Sequence, residues 1–342
     1  MPKKPLAIDL FCGCGGLTLG LRQAGFRVIG AVDNDPFAVE TYKSNHPGVR
    51  VWECDIRDLP AAEVAHALHL ETGDLHLLAG CPPCQGFSSM RTLNGKRQIE
   101  DPQNDLVFEF LRFVDGLRPR AIMMENVPGL AKDERFQVML SKLEGLGYSV
   151  GHRIRNAADF GVPQRRRRLI MLAGKNGVLP FAAPDPNRKT VRESIGGLPA
   201  PGDSGDPLHD LPENRSERIT NLIKRIPKDG GSRLDLGEEA QLPCHSDFDG
   251  FKDVYGRMAW NAVAPTITTG CFNPSKGRFL HPEEDRAITM REAALLQSFP
   301  KPYRFPMRRG KSAIAYLIGN ALPPEFIRRI ALPLVGRLRE PA

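Results

Sequence analysis

A cysteine able to act as a nucleophile stands in Gly80-Cys81-Pro82-Pro83-Cys84-Gln85-Gly86-Phe87-Ser88, directly after the apolar run Leu75 to Ala79. That run predicts a strand, so Cys84 falls on a stiff, proline-shaped loop at a strand's carboxyl end, where it is presented rather than packed away. Its thiolate is the reactive form, so the ordinary thiol pKa of about 8.5 has to be lowered by its surroundings. An inert loop thiol is the commoner fate of a cysteine, and the loop alone does not decide between the two. Glu125-Asn126-Val127 closes the predicted strand Ala121 to Met124 and offers a carboxyl group, which apolar Met123 and Met124 favour in its protonated form. Gln164-Arg165-Arg166-Arg167-Arg168 leads into the predicted strand Leu169 to Leu172. Strand alternation points Arg166 and Arg168 one way and Arg165 and Arg167 the other. One pair can therefore face the cleft of Cys84 and Glu125, although a solvated basic surface is the ordinary meaning of such a run.

A second group of residues could hold a small molecule. Asp9-Leu10-Phe11-Cys12-Gly13-Cys14-Gly15-Gly16 places a glycine turn at a strand's carboxyl end, where α/β sheets bind ligands and a bare backbone allows close approach. The dinucleotide fingerprint G-x-G-x-x-G fails here, because Thr18 occupies the third glycine's place. Asp33 ends the next predicted strand and can accept hydrogen bonds from two ribose hydroxyls. Asp55 follows a third candidate strand and can accept from an adenine amino group. A plain turn and two solvated loop acids explain these residues equally well when each is taken alone.

The elements needed to place these groups alternate in the β-α-β-α rhythm of a doubly wound parallel sheet. Leu6 to Phe11, Arg27 to Val32, Leu75 to Ala79, Ala121 to Met124 and Arg168 to Ala173 read as strands. Leu17 to Ala24, Pro36 to Asn45, Asp105 to Leu117 and Leu130 to Leu146 read as helices. After Gly174 frequent prolines stop any long helix, which sets a boundary near residue 175. Helical periodicity returns at Thr289 to Phe299 and at Pro324 to Leu338, so the last segment is expected to pack back on the first domain.

With 342 residues, 41% hydrophobic and 25% charged, the chain can bury a substantial core. No run approaches the roughly 18 apolar residues of a membrane span, and the start is too brief for a secretory leader, which points to the cytosol. The cysteines number 7, an odd count suited to free thiols. Cys12-x-Cys14 and Cys81-x-x-Cys84 raise the thought of zinc, yet Pro82 and Pro83 remove the backbone amides that a metal knuckle uses, so no metal is expected. A net charge of +7 suits a polyanionic partner.

Taken in order, these blocks resemble the cytosine-5 DNA methyltransferase family. The resemblance rests on Phe11 to Gly16, Pro82-Pro83-Cys84-Gln85, Glu125-Asn126-Val127, Gln164 to Arg168, Arg291-Glu292-Ala293-Ala294 with Gln297-Ser298-Phe299-Pro300, and Gly319 to Pro324. It covers residues 5 to 173 and 257 to 336. It implies an α/β fold with a doubly wound Rossmann-like methyltransferase sheet and a smaller, irregular target-recognition domain. The expected division is 1–174 for cofactor and catalysis, 175–300 for target recognition, and 301–342 returning to the catalytic domain. Implied catalytic residues are Cys84, attacking carbon 6 of cytosine, Glu125 at ring nitrogen 3, and Arg166 and Arg168 near the base oxygen and the backbone. Implied contacts to S-adenosyl-L-methionine, released as S-adenosyl-L-homocysteine, are Phe11, Gly13, Gly15, Gly16, Asp33, Asn34, Asp55, Ile56, Pro83, Leu106 and Asn320. Asn34 stands where the family carries an apolar or aromatic residue against the adenine, and Cys12 and Cys14 stand where it carries small apolar ones.

The resemblance further implies double-stranded DNA as substrate, a target base flipped out of the duplex, and Gln85 to Asn104, with Arg91, Lys96 and Arg97, as a loop that closes over it. Residues 175 to 256 are expected to read the bases. The length leaves no room for large regulatory regions, so a stand-alone bacterial enzyme is expected, the modification half of a restriction-modification system. It would be a cytoplasmic, nucleoid-associated monomer, working alongside a cognate restriction endonuclease without stable binding and without a membrane. A tRNA-modifying branch carries a Cys-Phe-Thr tripeptide, whereas Cys271-Phe272 is followed here by Asn273. A nicotinamide oxidoreductase shares the sheet but not the Cys84 and Glu125 pair, and a catalytically dead relative would lack one of the two.

Overall fold

The computed structural model describes residues 3–83, 105–237 and 253–339. Seven strands form one sheet: β1 (Leu6–Leu10), β2 (Arg27–Asp33), β3 (Arg50–Glu53), β4 (Leu77–Gly80), β5 (Ala121–Asn126), β6 (Ser149–Asn156) and β7 (Arg167–Gly174). Their order is β3-β2-β1-β4-β5-β7-β6, parallel through β5, with β7 antiparallel to β5 and β6 antiparallel to β7. β4 and β5 are buried along their whole length, as expected of central strands covered on both faces. This is the expected Rossmann-like methyltransferase sheet, and the strand order reverses between β1 and β4, the kind of place where open α/β sheets bind ligands.

Local chemistry sets the helices. α1 (Gly16–Ala24) begins after Gly15 at φ 94° and stops at Gly25, φ 112°, a left-handed residue whose N–H returns to the last turn. α2 (Pro36–Asn45) opens with proline in its first turn, and the Asp35 side chain accepts from Phe37 N. α3 (Ala61–Ala67), α4 (Leu106–Leu117) and α5 (Glu134–Gly145) follow. Phe110 and Phe113 of α4 and Phe136 of α5 fill the core under β4, β5 and β7.

The chain divides into two compact units. The first comprises residues 1–156, 167–184 and 322–342, the second residues 157–166 and 185–321. The return to the first unit therefore falls at 322, against the expected 301, and residues 157–166 leave it ahead of the expected boundary at 174. The returning helix, α10 (Pro324–Arg339), packs on α1. At their crossing a Cβ on Gly20 would stand 2.5 Å from Ile327 Cβ and from Pro324 O, so only glycine allows the approach.

The second unit has little regular structure: α6 (Val191–Ile195), α7 (Glu217–Arg225), α8 (Met290–Leu296) and α9 (Gly310–Asn320). α8 realises the expected helix at Thr289 to Phe299 as a shorter one, opened by reciprocal hydrogen bonds between Thr289 and Glu292. Arg257, wholly buried, organises part of this unit. It donates to the carbonyls of Ile223 and Ile226 at the end of α7, to those of His281 and Glu284, and to Asp285. Among the described residues no helix is long and apolar enough to cross a membrane.

Candidate active site

The carboxyl ends of β1 and β2 build a cradle from backbone and acids. Phe11 at φ 60° and Gly13 at φ 52° turn the chain out of β1 in the left-handed region, and a Cβ on Gly13 would meet nothing within 4 Å. Asp33 braces the turn: Oδ2 accepts from Gly13 N at 2.7 Å and Oδ1 from Asp35 N at 2.9 Å. Burial raises its carboxyl above the ordinary value, while those two backbone donors pull it back. Asn34 N–H also acts on this carboxylate, and of its roughly four lone-pair sites these backbone donors leave room for a ligand hydroxyl. Asn34 beside it is exposed. Asp55 caps the short 3-10 turn that begins at Ile56 and is gripped by Arg57, whose Nε lies 3.0 Å from Oδ1, and this hydrogen bond holds its carboxyl below the ordinary value. Gly15 and Gly16 lead into α1 and Leu106 opens α4.

Beneath this cradle lies a buried polar chain. Asp9, fully buried in β1, accepts from Thr18 Oγ1 at 2.6 Å, and that hydroxyl meets Tyr42 Oη at 2.7 Å. Asp9 Oδ1 is buried and has no hydrogen-bond partner among the described residues. Burial pushes the Asp9 carboxyl up to about 7; the Thr18 bond opposes this and the neighbouring Asp33 adds to it.

Glu125 and Asn126 end β5 next to the end of β4. Glu125 is 7% exposed and lies 2.8 Å from Arg168 Nε, an arginine on the adjacent strand β7. The Cys81 thiol also reaches Glu125, and burial first, then this carboxyl, push the thiol well above its ordinary value. Asn126 Nδ2 donates to Pro82 O at 3.0 Å, tying the proline loop to β5. Pro83 is the last described residue of that loop; Cys84 and the whole of Gln85 to Asn104, with Arg91, Lys96 and Arg97, lie outside the described residues. In the arginine run Arg165 and Arg167 are exposed, while Arg166 and Arg168 are the covered members. Arg166 is 4% exposed and donates to Ile267 O and Gly319 O. It belongs to the second unit, as does Asn320, the exposed last residue of α9.

Residues 6–335 match the family of C-5 cytosine-specific DNA methylases. The chain belongs to that family. This methylase is 39% identical over 338 residues to the Type II methylase M.HgiDII of Herpetosiphon aurantiacus, covering 95% of this chain and 93% of that protein. It is 32% identical over 372 residues to the Type II methyltransferase M.XorII of Xanthomonas oryzae pv. oryzae, covering 98% and 86%. A crystal structure of Schizosaccharomyces pombe Dnmt2 methyltransferase superposes with a TM-score of 0.63 at 20% identity, over 98% of this chain and 99% of that one, a likeness of fold.

Family membership brings S-adenosyl-L-methionine with it, and the residues of the methylase fit that group. Gly13 leaves open space at the turn, Asp33 keeps free lone pairs, and Asp9 holds a buried acceptor without a partner in the strand that feeds the turn. Among the described residues no group of His, Cys, Asp and Glu is placed to hold a metal ion. Two residues escaped the sequence reading as functional candidates. Asn126 was legible only as the neighbour of Glu125, and Asp9 only as the first residue of the glycine motif. The partners that give them meaning, Pro82 for one and Thr18 and Tyr42 for the other, are distant in the chain.

Proposed function

We propose that this methylase acts on a cytosine flipped out of a specific sequence in duplex DNA, with Cys84 as nucleophile and Glu125 as the acid at ring nitrogen 3. The Cys84 thiolate adds to carbon 6, and the displaced electron density is taken up as Glu125 gives nitrogen 3 its proton. Carbon 5 then has enamine character. S-adenosyl-L-methionine supplies the electrophilic methyl that carbon 5 takes. Loss of the carbon 5 proton to a base, return of the nitrogen 3 proton to Glu125 and expulsion of the Cys84 thiolate restore the ring and reset the acid. Arg168 holds Glu125 in place and sets a fixed cation where negative charge develops. Phe11, Gly13, Gly15, Gly16, Asp33, Asn34, Asp55, Ile56, Pro83, Leu106 and Asn320 are the cofactor-facing set.

The observation that carries this reading is the joint at the ends of β4 and β5. Asn126 fixes Pro82, two residues before Cys84, while Glu125 is fixed by Arg168 one residue away. Nucleophile loop and acid are thereby referred to the same strand end. Residues 175 to 256 would read the sequence, of which 238–252 lie outside the described residues. The enzyme would act in the cytoplasm as a monomer, beside a restriction endonuclease of the same specificity that it does not bind stably. Duplex carrying 5-fluorocytosine at the target should trap a covalent adduct, because fluorine cannot leave as a proton does. Peptide mapping should find it on Cys84, and Cys84→Ser should give none; an adduct on Cys81 would sink the assignment.

A further inference from the structure

Arg166, Gln164 and Gln297 form a buried knot inside the second unit. Gln164 Nε2 donates to Gln297 Oε1 at 2.7 Å and to Leu296 O at 3.0 Å, while its Oε1 accepts from Ile267 N at 3.0 Å. Gln297 Nε2 in turn donates to Ile318 O at 2.5 Å and to Ala321 O at 3.3 Å, the two sides of Asn320. Arg166 Nη1 and Nη2 reach Ile267 O at 3.2 Å and Gly319 O at 3.1 Å. Both glutamines are fully buried. Gln297 holds the carbonyls of 318 and 321 and Arg166 that of 319, while the side chain of residue 320 is left exposed. At Gly319 the two backbones touch: a Cβ there would stand 2.3 Å from Thr269 N and 2.4 Å from Thr268 C.

We propose that Gln164, Arg166 and Gln297 are positioning residues that fix the end of α9, which carries Asn320, and that Arg166 acts through this clamp and not by touching the base. The proposal rests on the cofactor role given to Asn320 above. A guanidinium is suited to it because its planar fork spans two carbonyls at fixed separation, whereas a lysine ammonium keeps the charge without the fork.

The test is the affinity of the full-length protein for S-adenosyl-L-homocysteine by titration calorimetry, together with kcat at saturating cofactor and DNA. Arg166→Lys and Arg166→Gln are expected to weaken binding alike, by about tenfold, the 1.4 kcal/mol equivalent of one well-placed hydrogen-bonding group. Their kcat at saturation should fall less than threefold. Unchanged affinity in Arg166→Lys with a large loss of kcat would overturn the proposal and return Arg166 to the base. Asn320→Ala separates the two layers. If it leaves affinity unchanged, the cofactor role of Asn320 falls and the clamp's purpose with it; if it weakens binding while Arg166→Lys does not, the clamp alone falls. Should the Arg166 variants not fold, Gln297→Met carries the same comparison: weakened binding supports the clamp, and wild-type affinity refutes it.

Discussion

Asp9→Asn should stabilise the protein by an amount that grows with pH. Asp9 is fully buried, donors other than Thr18 are absent from its carboxyl among the described residues, and its pKa is pushed up to about 7 from an ordinary 3.8. The sign follows from proton counting. Between those two values the folded state holds the Asp9 proton and the unfolded state has lost it, so folding stability falls as pH rises and levels off above 7. With one site and these two values, the loss between pH 5 and pH 8 is about 3 kcal/mol. Asparagine imitates the protonated acid in shape and still accepts from Thr18, so the variant lacks this loss. It also relieves Asp33, which lies close enough to raise Asp9 further. His46, whose pKa is lowered to about 4 by burial and by Arg22, destabilises the fold in acid, but it does so in both proteins and cancels in the difference. Chemical denaturation of both proteins at pH 5, 6, 7 and 8 gives that difference directly. A variant advantage that stays flat or shrinks between pH 5 and pH 8 would show that Asp9 keeps an ordinary carboxylate pKa in the folded protein, its charge met by a bound water or another donor.

Gly20→Ala drives a methyl into Ile327 and the Pro324 carbonyl at 2.5 Å, so α1 and α10 must separate, at about 1–3 kcal/mol; a melting temperature equal to wild type would refute that packing. Arg257→Met leaves the buried carbonyls of Ile223, Ile226 and His281 without their donor, and removing one partner of a buried charged group costs about 3–5 kcal/mol. Limited proteolysis should then open the second unit first, and cleavage at the wild-type rate would count against Arg257 as its organiser. Replacing the guanine opposite the target by an abasic site removes part of the few kcal/mol needed to flip the cytosine, so affinity measured with S-adenosyl-L-homocysteine at one salt concentration should rise. Weaker binding to that duplex would argue that the base is not extruded.

The first unit was legible because its strands are short apolar runs at the sheet centre and its helices carry clear stops. β6 was not, since an edge strand with His152, Arg153 and Ile154 exposed has no apolar run to read. α9 escaped as well: it follows Pro306, opens without a side-chain cap, and buries Ile314, Ala315, Leu317, Ile318 and Gly319, too broad a face for a single stripe. Alternation did separate the covered arginines from the exposed ones. It could not separate Arg166 from Arg168, because their partners decide that. Arg168 meets Glu125 across one strand pair, whereas Arg166 meets Ile267 and Gly319, which lie 101 and 153 residues away. No spacing rule reaches that far.

The pairing of Arg168 with Glu125 bears on when the proposed acid gives up its proton. A carboxyl waiting to protonate cytosine must carry a proton before the attack, yet a guanidinium at 2.8 Å favours the carboxylate. Burial to 7% exposure pulls the other way, and so does the approach of an uncharged base that removes the remaining water. Cytosine nitrogen 3 is only weakly basic until the thiolate adds at carbon 6, and then it becomes strongly so. Full transfer ahead of the attack is therefore not required. A hydrogen bond from Glu125 that strengthens as charge reaches nitrogen 3 meets the demand of the transition state and not of the ground state, which is where catalysis gains. Arg168 is then useful twice: it holds the carboxyl in register with the base, and it stabilises the carboxylate that remains once the proton has moved. On this account Glu125→Gln, which keeps a donor at nitrogen 3 but cannot release a proton, loses rate in the addition step more than affinity for the flipped base.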